Sequence, residues 1–317
     1  MLDSLAMRAI VEDVSQGFRL LWRVPGFAIP IVLLLCLGIT AASVSFSVLD
    51  ALLLRPLSVL DPESLVRVVQ DRPRLELTDF PYSFYLALRQ HAKGLRDIRA
   101  AQESNTTFLD GESLERLRVQ VVSESYFGLF GVGAHIGRVL LPEDQKGEAV
   151  TLPAVLSYAF WRRRYHENNG VLGRKVLIQD QPFVIVGVLP KGFTGASIDI
   201  SPDVRVPLAA VPALYAREQK SIRADDLHYE IIGRLRSGVL PAQARDEAFA
   251  LYRSTLAANP AIRGNAFGEF RFTPIPRGVS RLRAQFSNGV VFLMIAATLP
   301  ALHVLRLDPA AALRTDG

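Results

Sequence analysis

The closest grouping of acid–base or metal-binding side chains in the sequence is Asp225, Asp226 and His228. A carboxylate beside an imidazole could perform general acid–base catalysis or help to hold a zinc ion. These three residues lie in a polar stretch between patterned segments, where such side chains are ordinarily solvated. The other histidines are isolated from one another: His91, His135, His166 and His303. We therefore predict no catalytic residue and no metal ligand.

Motifs for phosphate binding and nucleophilic catalysis are also missing from the sequence. No G-x-x-x-x-G-K-[ST] stretch and no G-x-S-x-G stretch occurs. Gly131, Gly133 and Gly137 resemble a glycine-rich loop, but their spacing differs from the dinucleotide-binding fingerprint, so we interpret them as turn glycines. The sequence thus predicts no cofactor, no cofactor-binding residue and a protein that is not an enzyme.

The basic residues favour a membrane protein over a nucleic-acid binder. The chain of 317 residues has a formal net charge of +5 and an isoelectric point near 9.5. Its arginines do not form a single patch, as a nucleic-acid groove would require, but flank apolar segments. These arginines are Arg8, Arg19, Arg23, Arg277, Arg281, Arg283 and Arg306. The single cysteine, Cys36, excludes an intrachain disulfide.

The longest uncharged run extends from Val24 to Leu49. As a helix it would reach roughly 39 Å at about 1.5 Å per residue, which exceeds a hydrocarbon core of about 30 Å. We predict a transmembrane helix at residues 26–54. A cleaved signal peptide is the alternative, but the run is longer than the apolar core of a signal, and acidic residues precede it.

Weaker patterns flank this helix and end the chain. Apolar residues recur at three- and four-residue steps in residues 1–25, which predicts a cytoplasmic or interfacial amphipathic helix. The apolar run at residues 286–305 predicts a second, short transmembrane helix, and residues 306–317 would be a cytoplasmic tail. Two spans place both termini on one side of the membrane, and the flanking arginines are ambiguous about which side, since Arg277, Arg281 and Arg283 would lie outside if the termini are cytoplasmic. The positive-inside rule is weak at the end of a long translocated domain, so we predict cytoplasmic termini, with residues 55–285 outside the cytoplasm.

The region at residues 55–285 begins and ends with the same order of patterns. Near its start, a strand at residues 65–69 precedes a helix at residues 82–93 that Gly94 closes, and a short strand begins at Ile98. The second set is a strand at residues 229–235, a helix that begins at Pro241, and a strand with Phe270 and Phe272. This repetition predicts one split β-α-β subdomain.

Residues 108–226 would form a β-rich insertion in that subdomain. Apolar and polar residues alternate through Leu117, Val119 and Val121, as in a half-buried strand. We predict that Ser123 and Ser157 cap the helices that follow them. A hairpin is predicted from strands at residues 175–178 and 183–188, with residues 179–182 as its loop.

Several segments occur together in an order that is similar to one known family. They are "LLWRVPGFAI", "SVLDALLLRPL" with "DPESLV", "VSESYFGLFGVGAHIGR", "PAVLSYAFWRRRY", "VLGRKVLIQDQPFVIVGVLPKGFTG", "IIGRLRSGVLPAQA" and "LRLDPAAALR". They resemble the MacB/FtsX-type ABC transporter permeases, in particular the stand-alone bacterial permeases with a MacB-like periplasmic core domain. The resemblance covers nearly the whole chain.

The resemblance implies an α+β membrane protein of the bacterial inner membrane. Its MacB-like periplasmic core, a split β-α-β subdomain with the β-rich insertion, would lie between the two transmembrane helices. Gly173, Gly187 and Gly192 would be scaffold residues of the hairpin. The function implied is that of a non-catalytic permease-type subunit whose periplasmic domain transmits motion or contacts partners. The partners implied are a separate ABC ATPase, a periplasmic adaptor protein, membrane lipid, and a second copy or a full-length permease.

The sequence departs from the family in two places. Gln179 and Asp180 stand where the family usually has a glycine in the tight turn. The family also has three membrane helices after its periplasmic domain, whereas here one short apolar run leads almost directly into "LRLDP". We therefore expect an internally shortened, truncated or degenerate permease. The alternative is a membrane-tethered periplasmic protein-binding module without transport activity.

Overall fold

The computed structural model describes residues 61–72, 75–146, 151–197, 201–215, 227–260, 269–276, 278 and 279, with residues 36, 39, 40, 43 and 59. The chain divides into two compact units, residues 1–55 and 56–317, and residues 36, 39, 40 and 43 are helical. Among the described residues, no helix has the length and apolarity needed to cross a bilayer. The segments predicted at residues 1–25, 286–305 and 306–317, and most of 26–54, lie outside the described residues.

The second unit combines strands and helices. Its described strands are β1 (Leu65–Arg72), β2 (Leu75–Leu77), β3 (Asp79–Pro81), β4 (Leu95–Asp110), β5 (Ser113–Val122), β6 (Ile136–Gly137), β7 (Leu152–Leu156), β8 (Lys175–Ile178), β9 (Gln181–Val188), β10 (Val204–Pro207), β11 (His228–Leu235) and β12 (Glu269–Pro274). Its described helices are α1 (Tyr82–His91), α2 (Tyr126–Phe130), α3 (Tyr158–Tyr165), α4 (Val211–Leu214) and α5 (Pro241–Ala258).

Four strands form an open antiparallel sheet in the order β12-β1-β11-β4. The connections β1-α1-β4 and β11-α5-β12 give the split β-α-β arrangement that the sequence predicts. Helices α1 and α5 supply Phe84, Leu88, Ala248 and Tyr252 to a buried cluster against one face of this sheet. Pro241 begins α5, where a missing backbone N–H costs least.

The remaining long strands close into a ring, β4-β5-β10-β7-β9-β8, in which β8 pairs back to β4. Alternate residues point inward, so one side chain in two along each strand fills the interior. That interior is apolar and includes Val119, Val121, Ile185 and Val206, with Phe160 of α3 packed against it. Residues 108–226, where a β-rich insertion is predicted, contain strands β5 to β10.

Strand β4 belongs to both the open sheet and the ring. Its first residues pair with β11, and the residues from Ala101 to Asp110 pair with β5. The predicted short strand at Ile98 is therefore wrong, since β4 has 16 residues. The first residues of β4 pair with β11, which is distant in sequence, whereas the rest form a hairpin with β5, the next strand in the chain.

Helix α1 ends differently from the prediction. Ala92 already has extended backbone dihedrals, and its N–H donates to the carbonyl of Leu88. Gly94 does not form a left-handed cap. A Cβ at Gly94 would lie 2.6 Å from the Cβ of Ala244, so this glycine allows β4 to approach α5 closely.

The two predicted serine caps have different outcomes. The Ser157 hydroxyl accepts a hydrogen bond from the Phe160 N–H at 3.1 Å, so the cap of α3 is confirmed. The cap predicted at Ser123 is wrong, because its hydroxyl accepts from the N–H of Ala100 at 3.0 Å. Ser123 thus joins β4 to the end of β5, and α2 begins after Ser125 instead.

The β8–β9 hairpin is confirmed, but its loop is shorter than predicted. Strand β9 begins at Gln181, so Gln179 and Asp180 alone form the turn, with φ of 52° and 62°. Two successive positive φ angles match a type I′ hairpin, which usually contains glycine. Here Gln179 is held in place, since its side-chain oxygen accepts from the Thr106 hydroxyl at 2.5 Å and its N–H donates to the Thr107 carbonyl.

Gly187 permits the closest backbone contact in the hairpin region. A Cβ there would collide with the carbonyl oxygen of Arg138 and lie 2.9 Å from the carbonyl carbon of that residue. Since the obstructing atoms are backbone, they cannot move aside as a flexible side chain would. Gly173 and Gly192 have positive φ angles, so the scaffold roles expected for all three glycines agree with their geometry.

We predict that Gly187→Ala destabilises the fold by about 1–3 kcal/mol through overpacking. Thermal melting of the purified chain, followed by circular dichroism, measures this change. Gly133→Ala is the matched control, because a Cβ at Gly133 meets nothing within 4 Å. Equal melting temperatures for the two variants would contradict the close contact at Gly187.

Candidate functional site

A row of polar side chains crosses five strands on one face of the sheet. Residues two apart on a strand share a face, and the pairings Glu230 with Ala101, Glu103 with Gln120, and Gln120 with Arg205 continue that face from strand to strand. We call Arg67, Glu230, Glu103, Gln120 and Arg205 the polar row. It extends from the open sheet into the ring, opposite the face that α1 and α5 cover.

Arg205 is the most deeply buried member of the polar row, with 0% of its surface exposed. Its Nε donates to Gln120 Oε1 at 2.9 Å, and one Nη donates to the Thr194 carbonyl at 2.7 Å. The guanidinium lies over the Phe193 ring, 5.3 Å from its centroid. Burial lowers the pKa of Arg205, although nearby Tyr126 and Glu103 oppose that change. The group stays charged, since arginine does not lose its proton in proteins.

Hydrogen bonds continue along the polar row. Gln120 uses both ends of its amide, since its oxygen accepts from Arg205 and its nitrogen donates to Glu103 Oε1 at 3.0 Å. Arg67 and Glu230 form an ion pair at 3.3 Å between β1 and β11. A buried polar group without a partner is costly, so these contacts hold β4, β5 and β10 to one another and join β1 to β11.

A recess of about 410 Å³, which we call the polar cleft, lies beside the polar row. Acidic groups outnumber basic ones among its charged side chains, since three carboxylates face one guanidinium. The side chains that give it this character are Arg67, Asp79, Glu103, His228 and Glu230.

The Glu230 carboxyl has a pKa above its ordinary value. Burial is the main cause, and the charges of Glu103 and Asp79 raise the pKa further, whereas the Arg67 ion pair lowers it. About a quarter of the Glu230 side chain is exposed, so most of the side chain is buried although it lines the cleft. Bringing three carboxylates together disfavours ionisation of the most buried one.

Among the acid–base or metal-binding candidates of the sequence, the structure describes His228, His135 and His166 in different parts of the fold. His228 borders the polar cleft and is exposed, whereas Asp225 and Asp226 lie outside the described residues. His135 packs against the ring of Tyr158, 5.4 Å between centroids, and His166 ends α3. Within the described residues, no three acidic, histidine or cysteine side chains form a group that could hold a metal ion.

A second buried carboxylate, Asp110, closes the ring. It is 6% exposed, accepts from Arg174 Nε at 2.7 Å, and accepts from the Tyr165 hydroxyl at 3.0 Å. Burial and the charge of Asp110 together raise the pKa of Tyr165. These contacts join the ends of β4 and α3 to the start of β8, where the β4–β8 pairing is only two residues long, Phe108 with Ile178 and Leu109 with Leu177.

The polar row is better suited to holding strands than to bond chemistry. Each of its carboxylates contacts a donor, Arg67 for Glu230 and Gln120 for Glu103. Nothing in the sequence pattern marked Arg205, because a charged residue between two valines predicts an outward side chain. Its burial depends on Gln120 and Thr194, which are distant in sequence.

The strand order and the ring define a mixed α/β domain. A family model described as "MacB-like periplasmic core domain" matches residues 31–250. The chain belongs to this family, within the MacB/FtsX-type permeases that its sequence resembles, and the mixed α/β periplasmic-core fold predicted from the sequence is confirmed.

Two solved structures share the fold. The extracellular domain of the noncanonic ABC-type transporter YknZ from Gram-positive bacteria has a TM-score of 0.50 and 13% identity, covering 66% of this chain and 99% of that one. The periplasmic region of MacB from Actinobacillus actinomycetemcomitans has a TM-score of 0.51 and 14% identity, covering 70% and 93%. A search of curated protein sequences finds no match to this chain.

We predict that Arg205→Leu destabilises the fold by about 1–3 kcal/mol, since one buried and one partly buried acceptor lose their donor and the buried one carries most of that cost. The acceptors are the side chain of Gln120 and the carbonyl of Thr194. Thermal melting gives the comparison with Arg116→Leu, which alters an exposed arginine on β5 and should change stability by less than about 0.5 kcal/mol. An Arg205→Leu variant as stable as wild type would show that the row does not hold the strands.

The raised pKa of Glu230 predicts a pH dependence of stability. Above the ordinary glutamate pKa of about 4.3, the unfolded chain loses this proton while the folded chain keeps it, so stability falls as pH rises through the raised folded pKa. Glu230→Gln removes the titration. Melting temperatures from pH 4 to 8 should show wild type losing stability relative to Glu230→Gln as pH rises. A constant or opposite difference would contradict the raised pKa.

Proposed function

We propose that this chain is a non-catalytic, permease-type subunit of an ABC transporter of the cell envelope. The observation that carries the proposal is the family match, which begins within the predicted membrane helix at residues 26–54 and continues to residue 250. A MacB-like core joined to a membrane helix is the arrangement that the sequence resemblance implies for permeases.

The proposed placement is the bacterial inner membrane. Residues 55–285 would lie on the periplasmic side, between membrane helices at residues 26–54 and 286–305. Residues 1–25 and 306–317 would be cytoplasmic. The arginines beside the apolar runs and the family match support this arrangement.

The proposed role of the periplasmic domain is to transmit movement or to contact partners. Strand β4 continues from the open sheet into the ring, so a displacement of one part is carried directly to the other. Hydrogen bonds of the polar row add to the strand pairing on each side of this junction, from Arg67 to Glu230 within the open sheet and from Arg205 to Gln120 within the ring. Such a domain can carry a displacement without bending at the junction.

A separate ABC ATPase is the proposed energy source, because the sequence carries no P-loop of its own. A periplasmic adaptor protein, membrane lipid, and a second copy or a full-length permease are the further partners that family membership supports.

A membrane-tethered binding module without transport activity is the second candidate. The polar cleft favours it, since a recess of about 410 Å³ lined by charged groups is large enough to receive side chains of a partner protein. In this case the chain would dock envelope proteins and need no ATPase.

Topology and association together test the two proposals. A periplasm-active reporter after residue 200 and a cytoplasm-active reporter at the C-terminus should both be active. Purification of the tagged chain in mild detergent, with mass spectrometry of its partners, should recover an ATPase subunit that has a Walker A motif. Arg205→Leu serves as a control for dependence on a folded periplasmic domain.

Active reporters without any ATPase would contradict the transporter proposal and favour the binding module. A silent reporter after residue 200 would contradict both, because each requires a periplasmic domain.

A further inference from the structure

A row of apolar side chains crosses four strands of the ring, β5, β4, β8 and β9. The strand register places Leu114 opposite Leu109, and Leu109 opposite Leu177. Leu177 in turn lies opposite Pro182. Residues directly opposite each other on neighbouring strands point to the same face of a sheet. We call these four residues the distal row.

The distal row faces outward from the ring. Its neighbours along three of the strands are 0% exposed and belong to the buried interior. These neighbours are Phe108, Ile178 and Phe183. Because side chains alternate along a strand, the row lies on the outer surface. Leu114 is 67% exposed and Pro182 is exposed, whereas Leu109 and Leu177 are half-buried. A single exposed leucine is ordinary, but a contiguous apolar row is typical of an interaction surface.

Basic side chains border the distal row on the same face. Arg116 lies two residues from the row along β5, and Lys175 lies two residues from it along β8. Both are exposed, and no ion pair of either is seen among the described residues. The acidic residues at this end of the ring, Glu112 and Asp180, lie in turns. The row therefore complements a surface that has carboxylates beside its apolar side chains.

Hydrogen bonds on both sides of the distal row hold its strands together. On one side, the Gln179 N–H donates to the Thr107 carbonyl at 2.9 Å. On the other side, Asp110 accepts from Arg174 Nε at 2.7 Å. A surface whose strands are fixed before binding loses little conformational entropy when a partner docks.

The distal row lies far from the segments that lead to the predicted membrane helices. Leu65, near the start of the domain, lies opposite Arg234, which lies opposite Arg96 near the start of β4. The Ile275 N–H donates to the Leu65 carbonyl, so the last strand ends at the same level. From residue 96 to residue 109, β4 extends roughly 43 Å at about 3.3 Å per residue. This separation favours another protein over the bilayer as the partner of the row.

We propose that the distal row docks a separate envelope protein, through a segment of that protein whose apolar side chains are flanked by carboxylates. The leucines of the row pack against those apolar side chains, and Arg116 and Lys175 pair with the carboxylates. The proposal names a surface for the partner-contacting role and rests on the periplasmic placement proposed above, which the topology reporters test separately.

Photo-cross-linking in the bacterium that encodes the chain tests the proposal. The full chain carries p-benzoylphenylalanine in place of Leu114 in one strain and in place of Leu240 in another. Leu240 is the matched control, since it is 62% exposed but precedes α5, outside the ring. We expect position 114, and not position 240, to cross-link to one other protein. Mass spectrometry of the linked peptides should find apolar and acidic residues in the linked segment.

Binding of that protein, once purified, to the full chain in lipid nanodiscs tests the chemistry. Leu114→Ser should weaken binding roughly tenfold, and Leu240→Ser should leave it unchanged. Melting temperatures establish that the variants are folded, which the exposure of both leucines favours.

Charge reversal tests the basic border of the row. Arg116→Glu combined with Lys175→Glu should also weaken binding roughly tenfold, and added salt should weaken binding to the wild-type chain. The matched control combines Lys191→Glu with Arg253→Glu, which reverses two exposed charges outside the row and should leave binding unchanged.

Several results would overturn the proposal. They are cross-links from position 114 to lipid alone, to a second copy of the chain alone or to nothing, equal cross-linking at positions 114 and 240, a linked segment without acidic residues, and unchanged binding after charge reversal. Any of these together with an active reporter after residue 200 would refute the docking surface and leave the permease proposal standing. A silent reporter would instead contradict the periplasmic placement itself.

Discussion

The periplasmic domain depends on one strand that two sheets share. β4 pairs with β11 over its first residues, with β5 from Ala101 onward, and with β8 near its end. Strand β4 is an edge of the open sheet and a member of the ring. Without it, the open sheet would lose its connection to the ring, and the ring could not close. The helices, the hairpin and the buried clusters take their positions from this strand.

Burying charged groups at the junction favours one arrangement of the strands over others. Arg205 is fully buried, and two of its three guanidinium nitrogens donate to acceptors at Gln120 and Thr194. A shift of β10 by one residue would move the guanidinium to the other face, into the apolar interior of the ring. The polar row is therefore best understood as a device that specifies strand register, a role for which buried polar groups are known.

Local patterns predicted the local elements well. The hairpin, the Ser157 cap and the helix that begins at Pro241 each depend on residues close in sequence, and each is present. The closure of the ring by β8 and the burial of Arg205 depend on partners distant in sequence, so periodicity could not show them. The length of β4 was missed although its hairpin partner, β5, follows it directly, because the middle of β4 is polar. Ser123 was predicted to be a helix cap, but its hydroxyl accepts a hydrogen bond from the Ala100 N–H instead. The sequence could not show this contact, because it forms only when β4 and β5 pair.

The length of β4 makes the response of the domain to force depend on direction. At about 3.3 Å per residue, its 16 residues extend roughly 50 Å. A pull along the strand loads its backbone hydrogen bonds to β5 and β11 in shear, so many must break at once. A pull across the strand peels them apart in succession at far lower force. A load from the membrane applied along β4 would therefore meet high resistance. The same load applied across β4 would separate its hydrogen bonds one after another and open the junction.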